Sequence, residues 1–449
     1  MFRIHRRHGI SLSLLCLVAS AARAQAPVEP AARSLHSWAE ARQLMAAHQP
    51  TLQQQHAALL RARAGAELAL SRLLPRLDVS AGSEYSPIRP YQTREGNQLV
   101  WRHNTFDASS LVPSANATFS ITFSLADLTL LDSAETGIDA EGYALAATRH
   151  QLIGSLASAV LTVLGGERVA ARNVAGLEAA RERMRLTERL VALGRATALD
   201  QLRFEQDLGE AESGVVAANE ALSQARQALG DALGLPAAIG LVDGFDATQL
   251  LSPQTSGCHP LAQLGNRPDR VAAEQRATQA AQASRAASLA YLPALRIGSQ
   301  YNASYGAPST IVTAGPRALL QTWSISANLI WTVADGGARS AASTQSDADV
   351  LAARAGQDAA LLATTGESRS AIRLVSVAQA NLDIAQRTLE AARTMDQLSH
   401  KALELGKASA LEVVDAARRL RGVEITAAAR EVELLSARVR AQLTLSVCS

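Results

Sequence analysis

Four segments of this chain alternate apolar and polar residues with a period of two. In the first, Leu77, Val79, Ala81 and Tyr85 oppose Arg76, Asp78, Ser80 and Glu84. The second sets Ala115, Ala117, Phe119, Ile121, Phe123 and Leu125 against Asn116, Thr118, Ser120, Thr122 and Ser124. The third sets Leu295, Ile297, Tyr301, Ala303 and Tyr305 against Arg296, Gln300, Asn302 and Ser304, and the fourth Trp323, Ile325, Ala327, Leu329 and Trp331 against Thr322, Ser324, Ser326 and Asn328. Successive side chains of a strand point to opposite faces, so strands are expected near 76–85, 115–125, 295–305 and 322–331, each with one apolar and one polar face. No apolar face carries a charge. Each run is about ten residues, the length a tilted strand needs to cross a bilayer. A soluble antiparallel sheet with one wet face would alternate in the same way. In lipid, open sheet edges are not tolerated and the smallest closed barrels use about eight strands. One chain supplies four, so a membrane barrel would have to be shared between chains. The connections 86–113, with Pro87, Pro90, Trp101, Arg102 and His103, and 306–315, rich in Gly and small residues, read as exposed loops.

Between and after the strands the period changes. Asp132 to Leu193 and Gly337 to Leu405 are long stretches rich in Ala, Leu, Arg, Glu and Gln, and as helices each would reach roughly 90–100 Å. Helices of that length need partners. Val375, Ala378, Leu382, Ala385, Leu389 and Ala392 repeat at spacings of three and four, as a coiled-coil seam does, and Val432, Leu435, Val439 and Leu443 continue the theme in the last helix. Each long stretch stops at a glycine, Gly194 or Gly406. A hydroxyl residue follows, Thr197 or Ser409, with an acid three positions on, Asp200 or Glu412, which is the spacing of a capping box. Each half therefore folds back as a helical hairpin. A turn needs no cation, yet both turns carry one, Arg195 and Lys407, so a docking surface stands beside the plain reading of two good turns.

These elements occur twice in the same order. Leu74-Pro75-Arg76-Leu77-Asp78-Val79 recurs as Leu292-Pro293-Ala294-Leu295-Arg296-Ile297, and Pro50 and Pro268 share the same offset of 218. Leu193-Gly194-Arg195-Ala196-Thr197-Ala198-Leu199-Asp200 recurs as Leu405-Gly406-Lys407-Ala408-Ser409-Ala410-Leu411-Glu412. Two copies of one unit are expected side by side: repeat one over 35–235, repeat two over 260–447, and a linker over 236–259.

Composition narrows the function. Arg3, Arg6 and Arg7 precede an apolar run from Ile10 to Ala19, and Ala22-Arg23-Ala24 fits a cleavage site, so 1–24 reads as a signal peptide and Gln25 as the mature start. Cys16 follows Leu15 inside the apolar run, which does not suit lipid attachment, and the exported chain is expected to be unlipidated. Losing Arg3, Arg6, Arg7 and Arg23 leaves 39 of the 43 basic residues against 41 acidic ones. That balance disfavours nucleic-acid binding. No metal-ligand spacing, phosphate loop or nucleophile–base constellation is visible, so no cofactor and no enzyme activity are expected. No uninterrupted apolar run after the signal suggests a spanning helix. Aromatic residues are only 4% of the chain, which fits long Ala- and Leu-rich helices better than one large globular core.

With these residues in hand, the chain resembles the outer-membrane efflux proteins of the TolC type. The likeness rests on the tandem repeat, the Leu-Pro before each strand pair, the Asp335-Gly336-Gly337-Ala338-Arg339 opening of a long helix, and the paired Leu-Gly-[Arg/Lys]-Ala-[Thr/Ser]-Ala-Leu-[Asp/Glu] turns. Asp132-Ser133-Ala134 is read as the degraded counterpart of the Asp-Gly-Gly opening. The resemblance implies a mainly α chain with a membrane β-barrel: a homotrimer with a shared 12-stranded barrel in outer-membrane lipid and a 12-helix tube through the periplasm. It implies tips at the two glycine turns that meet a periplasmic adaptor, an inner-membrane pump of RND or ABC type, and a belt formed by Leu235 to His259 and the termini. Such proteins gate their tips with acidic residues, and Asp396 is a weak candidate here. The function implied is a passive exit duct for efflux or type I secretion. An exported structural coiled-coil protein without channel activity is the competing reading. The sequence does not choose among drugs, metals and proteins as cargo.

Two cysteines, Cys258 and Cys448, remain after the signal. The return helices 197–233 and 409–447 climb similar distances of roughly 55 Å, so both cysteines should reach the belt. An oxidising periplasm allows a bridge between them, and two free thiols are the alternative.

Overall fold

The computed structural model describes residues 31–85, 88–105, 111–251, 258–261, 264–306, 318–405 and 407–448. The segment expected to be a signal peptide, with Cys16, the expected mature start Gln25, Gly406 and positions 86–87, 106–110 and 307–317 lie outside the described residues.

The two repeats share one order of helix, strand, strand, long helix and return helix, and repeat one adds a short strand and helix at its start and a strand hairpin between its two sheet strands. Repeat one opens with β1 (Arg33–Leu35) and α1 (Trp38–His48). It continues through α2 (Pro50–Ser71), β2 (Arg76–Tyr85), a hairpin of β3 (Ile88–Glu95) and β4 (Gln98–Thr105), β5 (Leu111–Phe123), α3 (Leu125–Ala192) and α4 (Ala198–Leu233). Short strands β6 (Ile239–Leu241) and β7 (Cys258–Pro260) lead to repeat two, built from α5 (Pro268–Leu289), β8 (Ala294–Gly306), β9 (Ala318–Ile330), α6 (Ala338–Glu404), α7 (Ala410–Thr444) and β10 (Ser446–Cys448). Equivalent helices match in length: α2 and α5 have 22 residues each, α3 and α6 have 68 and 67, α4 and α7 have 36 and 35. Both α2 and α5 begin with a proline in the first turn, where the missing N–H costs nothing.

β2, β5, β8 and β9 form one antiparallel sheet in that order. Its register sorts the side chains cleanly. Leu77, Phe119, Ser299 and Ile325 lie in one row, and Val79, Ala117, Tyr301 and Trp323 in the next on the same face; Phe123, Leu295 and Leu329 close that face at one end. The opposite face carries Asp78, Thr118, Gln300 and Ser324, then Ser80, Asn116, Asn302 and Thr322. The apolar face is bare: Leu77, Val79, Phe119, Trp323, Ile325 and Leu329 are all exposed.

Four helices continue the four strands. α2 packs beside α3, α3 beside α5 and α5 beside α6, so strand order and helix order agree. Further along, α4 takes the place of α2 against α3, and α7 takes the place of α5 between α3 and α6. At about 1.5 Å per residue, α3 and α6 each run ~100 Å. In the α6–α7 coiled coil Ala378, Leu382 and Ala385 are buried, with Leu434 packed against Ala378 and Leu382. The main core sits where the stacked helices meet. There Trp38, Met45, Ile153, Leu156, Val160, Leu229, Leu233, Ile239 and Val439 pack together. β1 pairs in parallel with β6, and β10 pairs antiparallel with β7, around that level.

Three expectations change. The connection 86–113 is not irregular: β3 and β4 pair over eight positions, with the turn at Gly96 in a left-handed conformation (φ +63°). Pro90 and the charges of β3 hid an alternation that a Gly-Asn turn makes possible. Helix α3 starts at Leu125, not Asp132, because the Ser124 hydroxyl accepts from the Asp127 N–H and caps it directly after β5. Ser133 therefore lies inside the helix, buried, its hydroxyl donating to the Gln279 carbonyl of α5, and Asp132-Ser133-Ala134 is not the counterpart of Asp335-Gly336-Gly337. Finally, α3 is long and apolar enough to cross a membrane by length and composition. Its apolar content has another explanation, since Ile153, Leu156, Val160 and Val163 are core residues.

Candidate functional site

The two turns at the far ends of the helical hairpins are built alike. After α3, Gly194 takes φ +70°, the Arg195 N–H donates to the Leu190 carbonyl at 2.8 Å and the Gly194 N–H to the Val191 carbonyl at 3.0 Å. This pair of bonds closes a helix through a left-handed residue, a conformation costly for any residue with a Cβ. After α6, the Lys407 N–H donates to the Ala402 carbonyl at 2.8 Å, the same bond at the equivalent place. Gly406 itself lies outside the described residues.

Each return helix then opens with a full capping box. The Thr197 hydroxyl accepts from the Asp200 N–H at 3.2 Å, and the Asp200 carboxylate accepts from the Thr197 N–H at 3.1 Å. Ser409 and Glu412 repeat the exchange at 3.3 and 2.8 Å. Hydrogen bonds from the Thr197 side chain, then its backbone N–H, hold the Asp200 carboxyl below its ordinary range, with Arg203 adding to them.

Neither turn spends its cation or its leucines on its own fold. Arg195 and Lys407 are exposed. Leu193 and Leu405 are each 70% exposed, and Leu199 and Leu411 are exposed beside them. The repeated motif thus presents one exposed cation between two bare leucines at both ends. The leucines stand in the repeated motif of both turns, but sequence alone did not single them out as exposed. The second turn has one more distinction: Lys401 and Lys407 are the only two lysines in the chain.

Asp396 lies two turns above the end of α6. Its Oδ1 is buried with no hydrogen-bond partner, and the His400 ring nitrogen is 3.6 Å from it. The structure keeps it apart from the two turns in sequence and height. A different acid organises this end of the molecule. Asp207 on α4 is 1% exposed, and three guanidinium groups converge on it: Arg183 of α3 at 3.5 Å, and Arg418 and Arg421 of α7 at 3.5 and 3.0 Å. Arg418 also reaches Glu210 at 3.1 Å. A Cβ on Gly176 would stand 2.7 Å from Arg421 Cδ, so that glycine leaves room for the arginine. The cluster joins the first hairpin to the second about 12–16 Å from the turns. Sequence reading missed it because buried and solvated charges look alike.

Cys258 is buried and disulfide-bonded, and Cys448 stands opposite it in the β7–β10 register. Among the described residues no group of three or more His, Cys, Asp and Glu is placed to hold a metal ion.

The family model described as outer membrane efflux protein matches residues 41–235 and 262–446, one segment for each repeat. The chain belongs to the outer membrane efflux protein family. Its site is the outer membrane of a Gram-negative cell, with the helices extending into the periplasm. Among curated relatives, outer membrane protein OprJ of Pseudomonas aeruginosa is 27% identical over 327 residues, covering 70% of this chain and 64% of OprJ. The match therefore spans a little under two thirds of that relative. Two solved structures share the fold over nearly all of their length: the outer-membrane channel OprN (TM-score 0.73, 21% identity, 93% of this chain and 94% of that one) and the outer membrane protein VceC from Vibrio cholerae (TM-score 0.73, 17% identity, 90% and 95%).

Proposed function

We propose that three copies of this outer membrane efflux protein assemble into a passive exit duct, the outer component of a tripartite efflux or type I secretion system. One observation carries the reading. The four-stranded sheet exposes a predominantly apolar, uncharged face, and among the described residues its outer strands β2 and β9 have no further partner within the chain. Lipid on the apolar face and strands of neighbouring copies on the edges satisfy both needs at once. Three copies make 12 strands and a tube of 12 helices, with the polar face of the sheet lining the passage. The helices agree: Leu362, Ile384 and Leu398 on α6, at one side of the protomer, and Leu202 and Val216 on α4, at the other, are exposed apolar residues that neighbouring copies would cover. An exported coiled-coil protein without a channel would have no use for the bare apolar sheet.

The tips are the docking surface for a periplasmic adaptor, which links the duct to an inner-membrane pump of RND or ABC type. Arg195 and Lys407 supply charge, and the exposed leucines supply apolar area. Lysine usage gives a direct test. An amine-directed cross-linker can react only at Lys401, Lys407 and the mature N-terminus. Cross-linking the assembled complex in cells should join the adaptor to Lys401 or Lys407, identified by peptide sequencing of the linked product. Cross-links confined to the N-terminus, in a complex that still co-purifies, would place docking elsewhere.

A further inference from the structure

Each repeat contains a joint where one helix stacks end-on over another, and the two joints are held differently. In the first, α2 stands over the end of α4. Gln49, the residue before Pro50, donates from its side chain to the Ala232 and Asp231 carbonyls at 3.2 and 3.5 Å, which occupies two open carbonyls at the end of α4. Gly234 (φ +76°) lets the chain pass so close that a Cβ there would lie 2.6 Å from the His48 carbonyl oxygen.

In the second joint, α5 stands over the end of α7, and Arg267 replaces Gln49 at the offset of 218. Arg267 does not bond the end of α7. Its buried guanidinium turns aside, to Asp269 at 2.6 Å and to Glu367 of α6 at 2.8 Å. A cavity of about 940 Å³ lies beside it, between α3, α6 and α7, lined by His150, Arg267, Glu367 and Arg440 among others. The last turn of α7 is held in part by a bond from the Leu261 N–H to the Leu445 carbonyl at 2.9 Å and the ladder Ser446–Pro260, Val447–His259, Cys448–Cys258. A two-stranded ladder of three residue pairs makes a weak hold on its own.

Here the cysteines matter. Cys258 is 1% exposed and disulfide-bonded. The chain has three cysteines, and Cys16 lies in the export segment. Residues directly opposite in an antiparallel pair have Cα atoms roughly 4.5–5.5 Å apart, inside the separation a disulfide spans. We propose that Cys258 and Cys448 form an intrachain disulfide that anchors the end of α7 beneath α5, and that maturation of this channel includes a thiol-oxidation step in the periplasm. The bond forms by exchange with an oxidoreductase disulfide. One cysteine thiolate attacks that disulfide and releases one of its sulfurs as thiolate. The second cysteine thiolate then attacks the mixed disulfide and releases the other. The channel chain loses two protons and two electrons, and the oxidoreductase ends as a dithiol. The bridge fastens to the belt the helix whose other end carries the second tip.

The test does not depend on transport. Mature protein is denatured without reductant and treated with a polymer-tagged maleimide. The expected result is no shift on a gel before reduction, two tags per chain after reduction, and an unreduced mass about 2 Da below that of the dithiol. Two tags without reduction, or a disulfide-linked multimer, would overturn the pairing. Hydrogen exchange of the native protein then tests the anchor. Reduced wild type and the Cys258→Ser/Cys448→Ser variant should both exchange at least ten-fold faster at 446–448, with residues 153–163 of α3 unchanged. Unchanged exchange at 446–448 in both would leave the bridge without its anchoring role.

Discussion

Replacing Asp207 by asparagine should loosen the two hairpins from each other while leaving the belt intact. The carboxylate is almost fully buried, and the side chains of Arg183, Arg418 and Arg421 are 16%, 29% and 14% exposed around it. Removing its charge leaves three guanidinium groups crowded with no central anion. Three of their nitrogens, Arg183 Nε, Arg418 Nε and Arg421 Nη1, already lack a hydrogen-bond partner. Taking one partner out of a buried ionic cluster costs on the order of 3–5 kcal/mol. An asparagine keeps the shape and one acceptor oxygen but neither the charge nor the second acceptor, so about 3 kcal/mol is the expected figure, or roughly a hundred-fold in the local opening equilibrium. Glu210 is the control. It shares Arg418 but is about half exposed, and Glu210→Ala should cost no more than about 1 kcal/mol. Hydrogen exchange of the intact protein reads both: Asp207→Asn should speed exchange in 199–211 and 413–424, with 153–163 unchanged. An Asp207→Asn protein that exchanges like Glu210→Ala would refute the claim that this cluster couples the hairpins.

Other outcomes follow from the same structure. Arginine at Ile325 faces lipid and should cost about 2–4 kcal/mol near the bilayer centre, seen as loss of heat-resistant assembly on gels, whereas Ser324→Arg, one residue away on the polar face, should assemble normally. Reversing both tip charges, Arg195→Glu with Lys407→Glu, should reduce export with assembly intact; unchanged export would return these residues to the role of plain turns. Burial, and next the charge of Arg267, hold the His150 ring below the ordinary histidine range. A depressed histidine contributes stability that is complete above its unfolded value near pH 6.5 and declines as pH falls through that value toward the folded one. The second joint should therefore exchange faster at pH 5.5 than at 7.5 after correction for intrinsic rates, and His150→Gln should flatten that difference.

Much of the fold was legible because the chain states it twice. Strand alternation assigned the lipid face, and the register of all four strands sorts Leu77, Phe119 and Ile325 onto it and Asp78, Thr118 and Ser324 off it. The turns were legible for a local reason, since glycine, hydroxyl and acid act within a few residues. What was hidden depends on distance. Asp207, Arg183, Arg418 and Arg421 are indistinguishable in sequence from solvated charges on a helix, and only packing brings α3, α4 and α7 together. The start of α3 was misplaced because a serine cap leaves a fainter mark than a glycine pair. The β3–β4 hairpin was missed because Pro90 and three arginines, Arg89, Arg94 and Arg102, masked a two-residue turn at Gly96. The offset of 218 pairs Gln49 with Arg267, yet nothing in the sequence tells that one bonds a helix end and the other turns to α6.

A barrel of four strands per chain closes only when chains share it. Native mass measurement of the mature protein in detergent tests it most directly. One species of three chains is expected, with the full strand content present only in that species. A stable monomer with the same strand content would contradict it.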